Sequence, residues 1–337
     1  MLILYVDDTG IAAKDPEAID QLIASLRSKG FELTKEGSFS EFLGIKFDKD
    51  EATGLIHLSQ KGLIKKIIQA TNMKDCNPNW TPASQVALAK DTDGEPMDKQ
   101  WSYPSIIGML LYLSMNTRPD ITFAVSQAAR FTHSPKKGHA AAIKMIVRYL
   151  KRTEDKGMFV NPSLNNLEIS VFCDADFGGL FGRDPDNEET SAKSRSGYVI
   201  KLGGLPLMWK SQLQTCVALS TLEAEYQSLS DCLRSVIHVR ALVIEVTEAV
   251  GVSSAVVATI NATVFEDNNG ALQLATSQRI TSRTKYFHVK WHHFWSHVRA
   301  GTIVILKIES AAQEADYLTK GLSREIFEKI RKLVQGW

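Results

Sequence analysis

Four carboxylates in the second half of the chain could act together: Asp174, Glu225, Asp267 and Asp316. Asp174 closes the apolar run that starts at Leu167, and Asp267 closes the run from Ala262. Glu225 falls in the first turns of a helix opening near Ser220, and Asp316 opens a late helix. Hydrolysing a phosphodiester requires an activated water and a leaving oxygen whose charge is stabilised. Two divalent cations about 4 Å apart do both, and hard oxygen ligands suit magnesium. Carboxylates at strand ends converge on one sheet edge, so acids distant in sequence can share ions. Acids are also frequent in any soluble chain, and spacing alone equally allows four surface acids with no common site. Two neighbours compete with these four. Asp176 shares the face of Asp174 if the strand continues. Glu223 lies about 200° around the helix from Glu225, so both cannot face one metal.

The elements that must position these acids follow from periodicity. The expected strands are Glu168–Cys173, Ser196–Leu202, Leu207–Ser220, Ala262–Glu266 and Thr302–Ile308, with helices Thr221–Val250, Asn268–Thr276 and Lys285–Ala300. Three meander strands followed by alternating helix and strand imply a mixed sheet covered by helices on both faces. Upstream, Leu2–Val6 and Thr9–Ala13 form a short hairpin around Asp7-Asp8, and a helix runs from Pro16 to Lys29. A second hairpin pairs Phe42–Asp48 with Gly54–Ser59 and leads into helix Gln60–Thr71. The stretch Asp75–Lys99 is loop, and a helical block spans Tyr103–Leu150, broken near Asn116–Pro119 and His133–Lys137. Gly, Pro and Asn cluster at 155–166, which places a domain boundary between 1–160 and 161–337.

Bulk properties exclude more than they assign. With 337 residues the chain can bury two cores. Its net charge of +1 gives no global nucleic-acid signal, so any such signal must be local. Cys76, Cys173, Cys216 and Cys232 form no CxxC pair and read as buried thiols of a reducing compartment. No apolar run approaches the roughly 18 residues that span a bilayer, and the start of the chain lacks the basic opening of a signal peptide. A soluble intracellular chain without a membrane partner is expected.

Several segments resemble one family. Cys173-Asp-Ala-Asp-Phe-Gly-Gly, Ser196-Gly-Tyr-Val, Leu202-Gly-Gly, Val217-Ala-Leu-Ser-Thr-Leu-Glu-Ala-Glu-Tyr, Glu266-Asp-Asn-Asn-Gly-Ala and Gln313-Glu-Ala-Asp-Tyr-Leu-Thr-Lys resemble the ribonuclease H domain of copia-type retrotransposon polyproteins. Tyr5-Val-Asp-Asp, Phe42-Leu-Gly-Ile, the run from Tyr103 to Leu113, Thr117-Arg-Pro-Asp-Ile and Arg148-Tyr-Leu-Lys-Arg-Thr resemble the same family's reverse transcriptase. The similarity is collinear over nearly the whole chain. The order Asp–Glu–Asp–Asp also matches ribonuclease H, whereas related integrase folds place the glutamate last. Ser191-Ala-Lys-Ser-Arg-Ser and the acidic insert before it depart from the family pattern without touching an expected ligand.

The resemblance implies an α/β fold: a ribonuclease H-like mixed five-stranded sheet with helices on both faces, preceded by a partial reverse-transcriptase palm and a helical thumb or connection region. It implies metal ligation and catalysis by Asp174, Glu225, Asp267 and Asp316 with two Mg2+ ions, replaceable by Mn2+. Asp174 would bridge both ions, with Glu225 and Asp267 on one side and Asp316 on the other. The reaction would cut the RNA strand of an RNA–DNA hybrid, leaving a 3′-hydroxyl and a 5′-phosphate. Ser220, Asn268 and Asn269 would contact the hybrid, whose RNA strand is told from DNA by its 2′-hydroxyls. In the first half, Asp7 would be a polymerase metal ligand supported by Asp8. The partner aspartate and the fingers of a polymerase would precede Met1, so polymerisation by this chain alone is not expected. The alternative is an inactive remnant that binds nucleic acid or docks on a fuller reverse transcriptase chain. A cytoplasmic element particle or the nucleus would be its place.

Other features have weaker claims. Asp8-Thr9-Gly10 also fits an aspartic-protease fingerprint, but Ile11 replaces the usual small residue and no second copy exists. His288, His292, His293 and His297 fall at helical spacing, yet no cysteine or acid completes a zinc set, which favours an amphipathic helix over the sheet. Basic residues gather at 136–156 and again at Arg279, Arg283, Lys285 and Lys290. The second group lies between two expected ligands and is the better candidate for salt-dependent phosphate contact.

Overall fold

Alternating apolar residues in the second half build a five-stranded sheet. The computed structural model describes residues 1–6, 8–35, 39–98, 100–161, 167–185, 189–282, 284–287 and 289–337. In chain order, hairpin β1 (Leu2–Tyr5) and β2 (Asp8–Ile11) precedes helix α1 (Pro16–Ser28). Strands β3 (Glu41–Phe42), β4 (Ile45–Lys49) and β5 (Ile56–Ser59) lead to α2 (Lys61–Ala70), α3 (Tyr103–Asn116), α4 (Thr122–Ala129) and α5 (Lys137–Arg152). Strand β6 (Met158–Val160) returns to pair with β5. Then follow β7 (Ile169–Asp176), β8 (Arg195–Leu202), β9 (Leu205–Leu213), α6 (Thr221–Ala249), α7 (Ser254–Val257), β10 (Ala262–Glu266), α8 (Asn269–Ser277), α9 (Trp295–Arg299), β11 (Ile303–Lys307), α10 (Asp316–Thr319) and α11 (Arg324–Gln335).

The large sheet has the order β11-β10-β7-β8-β9. β7, β8 and β9 form the antiparallel meander, while β10 and β11 join in parallel. Its two faces divide by the period of two. Ile169, Val171, Cys173, Tyr198, Ile200 and Val264 enter one core, beneath α6 and α8. Phe172 and Val199 point the other way into a core with Ile106, Leu110, Val125 and Leu150 of the first half and Tyr317, Leu318 and Phe327 of the last helices. Helices thus cover both faces, but the first half supplies much of the second cover. Trp209 Nε1 donates to the Ser114 carbonyl at 2.8 Å, and Arg195 Nη1 to Ser126 Oγ at 2.8 Å, fixing β9 and β8 to α3 and α4.

A buried ion pair fastens the C-terminal helix to the same block. Arg118 Nη2 and Asp120 Oδ2 lie 2.8 Å apart with both side chains wholly inaccessible. The Tyr149 hydroxyl and Gln335 Nε2 donate to Asp120, and Arg118 donates to Thr153. Residues quoted above from Thr117-Arg-Pro-Asp-Ile and Arg148-Tyr-Leu-Lys-Arg-Thr therefore serve the core. Removing one partner of such a pair strands a buried charge, at a cost of about 3–5 kcal/mol.

Of the elements that differ from the sequence expectation, three lie next to the carboxylates or the sheet that carries them. β7 runs to Asp176, so Asp174 lies inside the strand. β9 stops at Leu213; Gln214 still donates its N–H to the Ser194 carbonyl at 2.8 Å, while its Nε2 donates to Ser196 Oγ and to the Ala224 carbonyl and ties the strand end to α6. The expected helix Lys285–Ala300 is two short pieces among the described residues, a 3-10 turn at Val289–His292 and then α9. Aromatic and β-branched side chains lose rotamer freedom in a helix. Here Phe287, Trp291 and Phe294 are buried against the sheet, which sets the path of the chain.

Candidate metal centre and active site

Helix α6 presents Glu225 because its start is firmly capped. Ser220 Oγ accepts the Glu223 N–H at 3.2 Å, and Glu223 reaches back to accept the Leu219 N–H at 2.8 Å. Glu223 is thereby a capping residue, and Glu225 is the acid that turns inward. Leu229, Cys232, Leu233, Val236 and Val239 then anchor the helix along the sheet.

Asp174, Glu225 and Asp267 each offer a carboxylate oxygen, and these oxygens lie within 4.8 Å of one another. Asp174 is nearly inaccessible, with 3% of its surface exposed. Ser228 Oγ donates to its backbone carbonyl at 2.8 Å, and Gln313 Nε2 donates to the Cys173 carbonyl at 2.9 Å. Ser310 Oγ donates to Asp267 Oδ2 at 2.7 Å. The corner carrying Asp267 is held by Glu266, whose fully buried carboxylate accepts the Asn268 N–H at 2.9 Å.

Asp316 reaches the group from α10. Its Oδ1 lies 2.9 Å from Lys320 Nζ, which is 3.6 Å from Asp174 Oδ2, and the Thr319 hydroxyl donates to that same Asp174 oxygen. The approach of α10 requires Gly197 on β8. A Cβ there would sit 2.7 Å from Thr319 Cγ2 and 2.8 Å from Leu318 Cβ.

Electrostatics mark the group as short of positive charge. Burial, then Asp174 and Glu266, push the Glu225 carboxyl up to about 11. Burial and then Asp174 raise Asp316 to about 6. Asp174 is raised by burial despite Lys320. Burial alone would lower the Lys320 ammonium, but Asp174 and Asp316 outweigh it and hold it above its ordinary value. One buried oxygen of Glu225 has no hydrogen-bond donor. Three convergent hard oxygens with an unsatisfied one among them fit a divalent cation of the magnesium class.

The other expected residues are placed less closely. Asp176 is half-buried at the end of β7. Ser220 Oγ and Asn268 Oδ1 are taken by the caps of α6 and α8, and Asn269 accepts from Lys307 Nζ at 2.5 Å. Arg279 and Lys285 are exposed, and Arg283 lies outside the described residues. So does Asp7, while Asp8 is exposed at the start of β2. Among the described residues no grouping of three potential ligands includes Asp8 or a histidine. His292 Nδ1 instead lies 2.7 Å from the Tyr226 hydroxyl, and its ring stacks on Trp295; His288 is outside the described residues. In the first basic patch, Arg148 and Lys151 donate to carbonyls of the 74–77 strap and Lys137 pairs with Glu95. Sequence reasoning missed Thr319, Lys320 and Glu266. The four-residue step from Asp316 to Lys320 was the available signal for one of them.

Among the described residues no helix is long and apolar enough to cross a membrane. A family model described as reverse transcriptase (RNA-dependent DNA polymerase) matches residues 1–85. The retrovirus-related Pol polyprotein from transposon TNT 1-94 of Nicotiana tabacum is 32% identical over 99% of this chain, which spans 24% of that relative. An uncharacterized mitochondrial protein of Arabidopsis thaliana, AtMg00810, is 32% identical over 68% of this chain and 90% of its own length. The foamy viral protease-reverse transcriptase solved with an RNA/DNA hybrid has the same fold over 92% of this chain and 36% of that one, with 14% identity and a TM-score of 0.50. The fold is the mixed ribonuclease H-like sheet joined to reverse-transcriptase elements, as the sequence led one to expect. The chain belongs to the Pol polyproteins of copia-type retrotransposons, of whose length it spans 21–24%, and its residues 1–85 match the reverse transcriptase family.

Proposed function

We propose that this chain is a metal-dependent ribonuclease acting on the RNA strand of RNA–DNA hybrids. The observation that carries the reading is the convergence of Asp174, Glu225 and Asp267 at one sheet edge, with Asp316 beside them. Those three acids would hold one Mg2+, and Asp174 with Asp316 a second; Mn2+ would substitute. The bound ions supply charge stabilisation at the attacking and leaving oxygens of the phosphodiester. Thr319 and Ser228 orient Asp174, Ser310 orients Asp267, and the capped start of α6 fixes Glu225. Exposed Arg279 and Lys285 suit phosphate contact, which makes hybrid binding salt-dependent. The caps leave Asn268 its amide nitrogen and Asn269 its exposed side chain for the RNA strand.

A labelled RNA–DNA hybrid incubated with the chain in Mg2+ tests this. Cutting that yields 5′-phosphate and 3′-hydroxyl ends, and that Asp174→Asn and Glu225→Gln abolish, supports the nuclease. A folded chain that binds the hybrid without cutting it fits a binding remnant.

A second reading concerns the partner. Leu2, Ile3, Leu4, Tyr5 and Val6 are 46–80% exposed along the β1–β2 hairpin. Such an apolar strand suits docking on a fuller reverse transcriptase chain. Co-sedimentation with such a chain, lost in Leu4→Lys, is the check.

A further inference from the structure

The carboxylates divide into two unequal sets. Asp174, Glu225 and Asp267 face one another, and among the described residues neither Glu225 nor Asp267 forms an ion pair. The gap between Asp174 and Asp316 instead holds the Lys320 ammonium, 3.6 Å from the first and 2.9 Å from the second. Lys320 follows directly on α10, and its side chain is 41% exposed, so its head has solvent to move into. Its backbone does not share that freedom. The next residue, Gly321, lies so close to the first half that a Cβ would sit 2.0 Å from the Ser84 carbonyl oxygen. The strap around Ser84 thus holds the base of Lys320 while the ammonium can swing.

We propose that Lys320 is a built-in, displaceable cation at the second metal position. This rests on the metal-centre reading above and deepens it. The first divalent ion meets Glu225 and Asp267 without competition and shares only Asp174 with Lys320. A second ion reaches Asp174 and Asp316 only by displacing Lys320, so the two positions fill at different concentrations. Lys320 is a positioning residue: before the second ion arrives it holds Asp174 and Asp316 together against their repulsion.

Mn2+ binding by the whole chain, followed by the electron paramagnetic resonance of the free ion, tests this without relying on activity. The wild type should bind one ion tightly and a second more weakly. Lys320→Met should tighten the second by about tenfold, as expected for removing a competing charge a few ångströms away, and tighten the first by less, about threefold or under, since that ion shares only Asp174 with Lys320. Lys320→Arg, which keeps the charge, should follow the wild type. A Lys320→Met protein whose second affinity equals that of the wild type overturns the role of Lys320. Should Lys320→Met not fold, Lys320→Gln serves in the same titration with the same two outcomes. Asp174→Asn provides the separate control. If it binds Mn2+ as the wild type does, the metal-centre reading itself fails, whatever Lys320 does.

Discussion

Two aspartates of this chain, Asp174 and Asp8, lie in family-like segments, and their surroundings are opposite. Asp174 sits in the middle of a sheet, 3% exposed, with hydroxyl, amide and ammonium groups placed around it from α6, α10 and the segment between β11 and α10. Asp8 sits on a two-stranded hairpin, exposed, beside apolar neighbours that are themselves exposed. An acid of the right type at the right place in a motif is therefore only half of a site. The other half is a scaffold that removes water and sets the position of each oxygen.

The contrast can be tested by disturbing each region in turn. The largest effect should come from Asp174→Asn. It should lower hybrid cleavage by at least about a thousandfold, the loss of several kcal/mol of transition-state stabilisation, while Asp8→Asn leaves the rate unchanged within about twofold. Gly197→Val should come next. Its side chain would push on Thr319 and Leu318 and displace α10, costing about 1–3 kcal/mol of stability by overpacking and reducing cleavage, as read by melting and by hydrolysis rate.

A smaller effect has the opposite sign for stability and activity. The folded pKa of Glu225, about 11, lies above its ordinary 4.5. The metal-free folded state therefore retains a proton that the unfolded chain loses, and this group's contribution to stability falls as pH rises above 4.5. Glu225→Gln should consequently raise the metal-free melting temperature by about 1–3 °C near neutral pH, with the gain vanishing towards the ordinary carboxylate range. The same variant should lose hybrid cleavage. Smallest of all, Leu4→Lys in the hairpin should change the melting temperature by an amount equivalent to less than about 0.5 kcal/mol, since its side chain packs little.

The same contrast explains what the sequence revealed. Strands β7, β8, β10 and β11 announce themselves as apolar runs ended by polar residues, and the Ser220–Glu223 cap marks the start of α6. Spacing alone left Asp174, Glu225 and Asp267 no better than scattered surface acids; the family-like segments around them singled them out, and the fold then brings their oxygens together. The rest depends on contacts that leave no local period. β9 ends where Gln214 finds Ser196 and Ala224 across the fold. β6 joins the first sheet by pairing with β5, about a hundred residues earlier in the chain. The second face of the large sheet takes helices from the first half, and strand alternation alone cannot say whose helices those are. Lys320 stood inside a quoted segment, yet its role appears only once α10 crosses β8 at Gly197.

Manganese soaked into crystals of this chain, located by anomalous scattering, tests the central claim most directly. The metal-centre reading predicts a peak about 2.0–2.3 Å from oxygens of Asp174, Glu225 and Asp267, with a second between Asp174 and Asp316 at higher concentration. Manganese bound elsewhere, with those three acids empty at saturation, would contradict it.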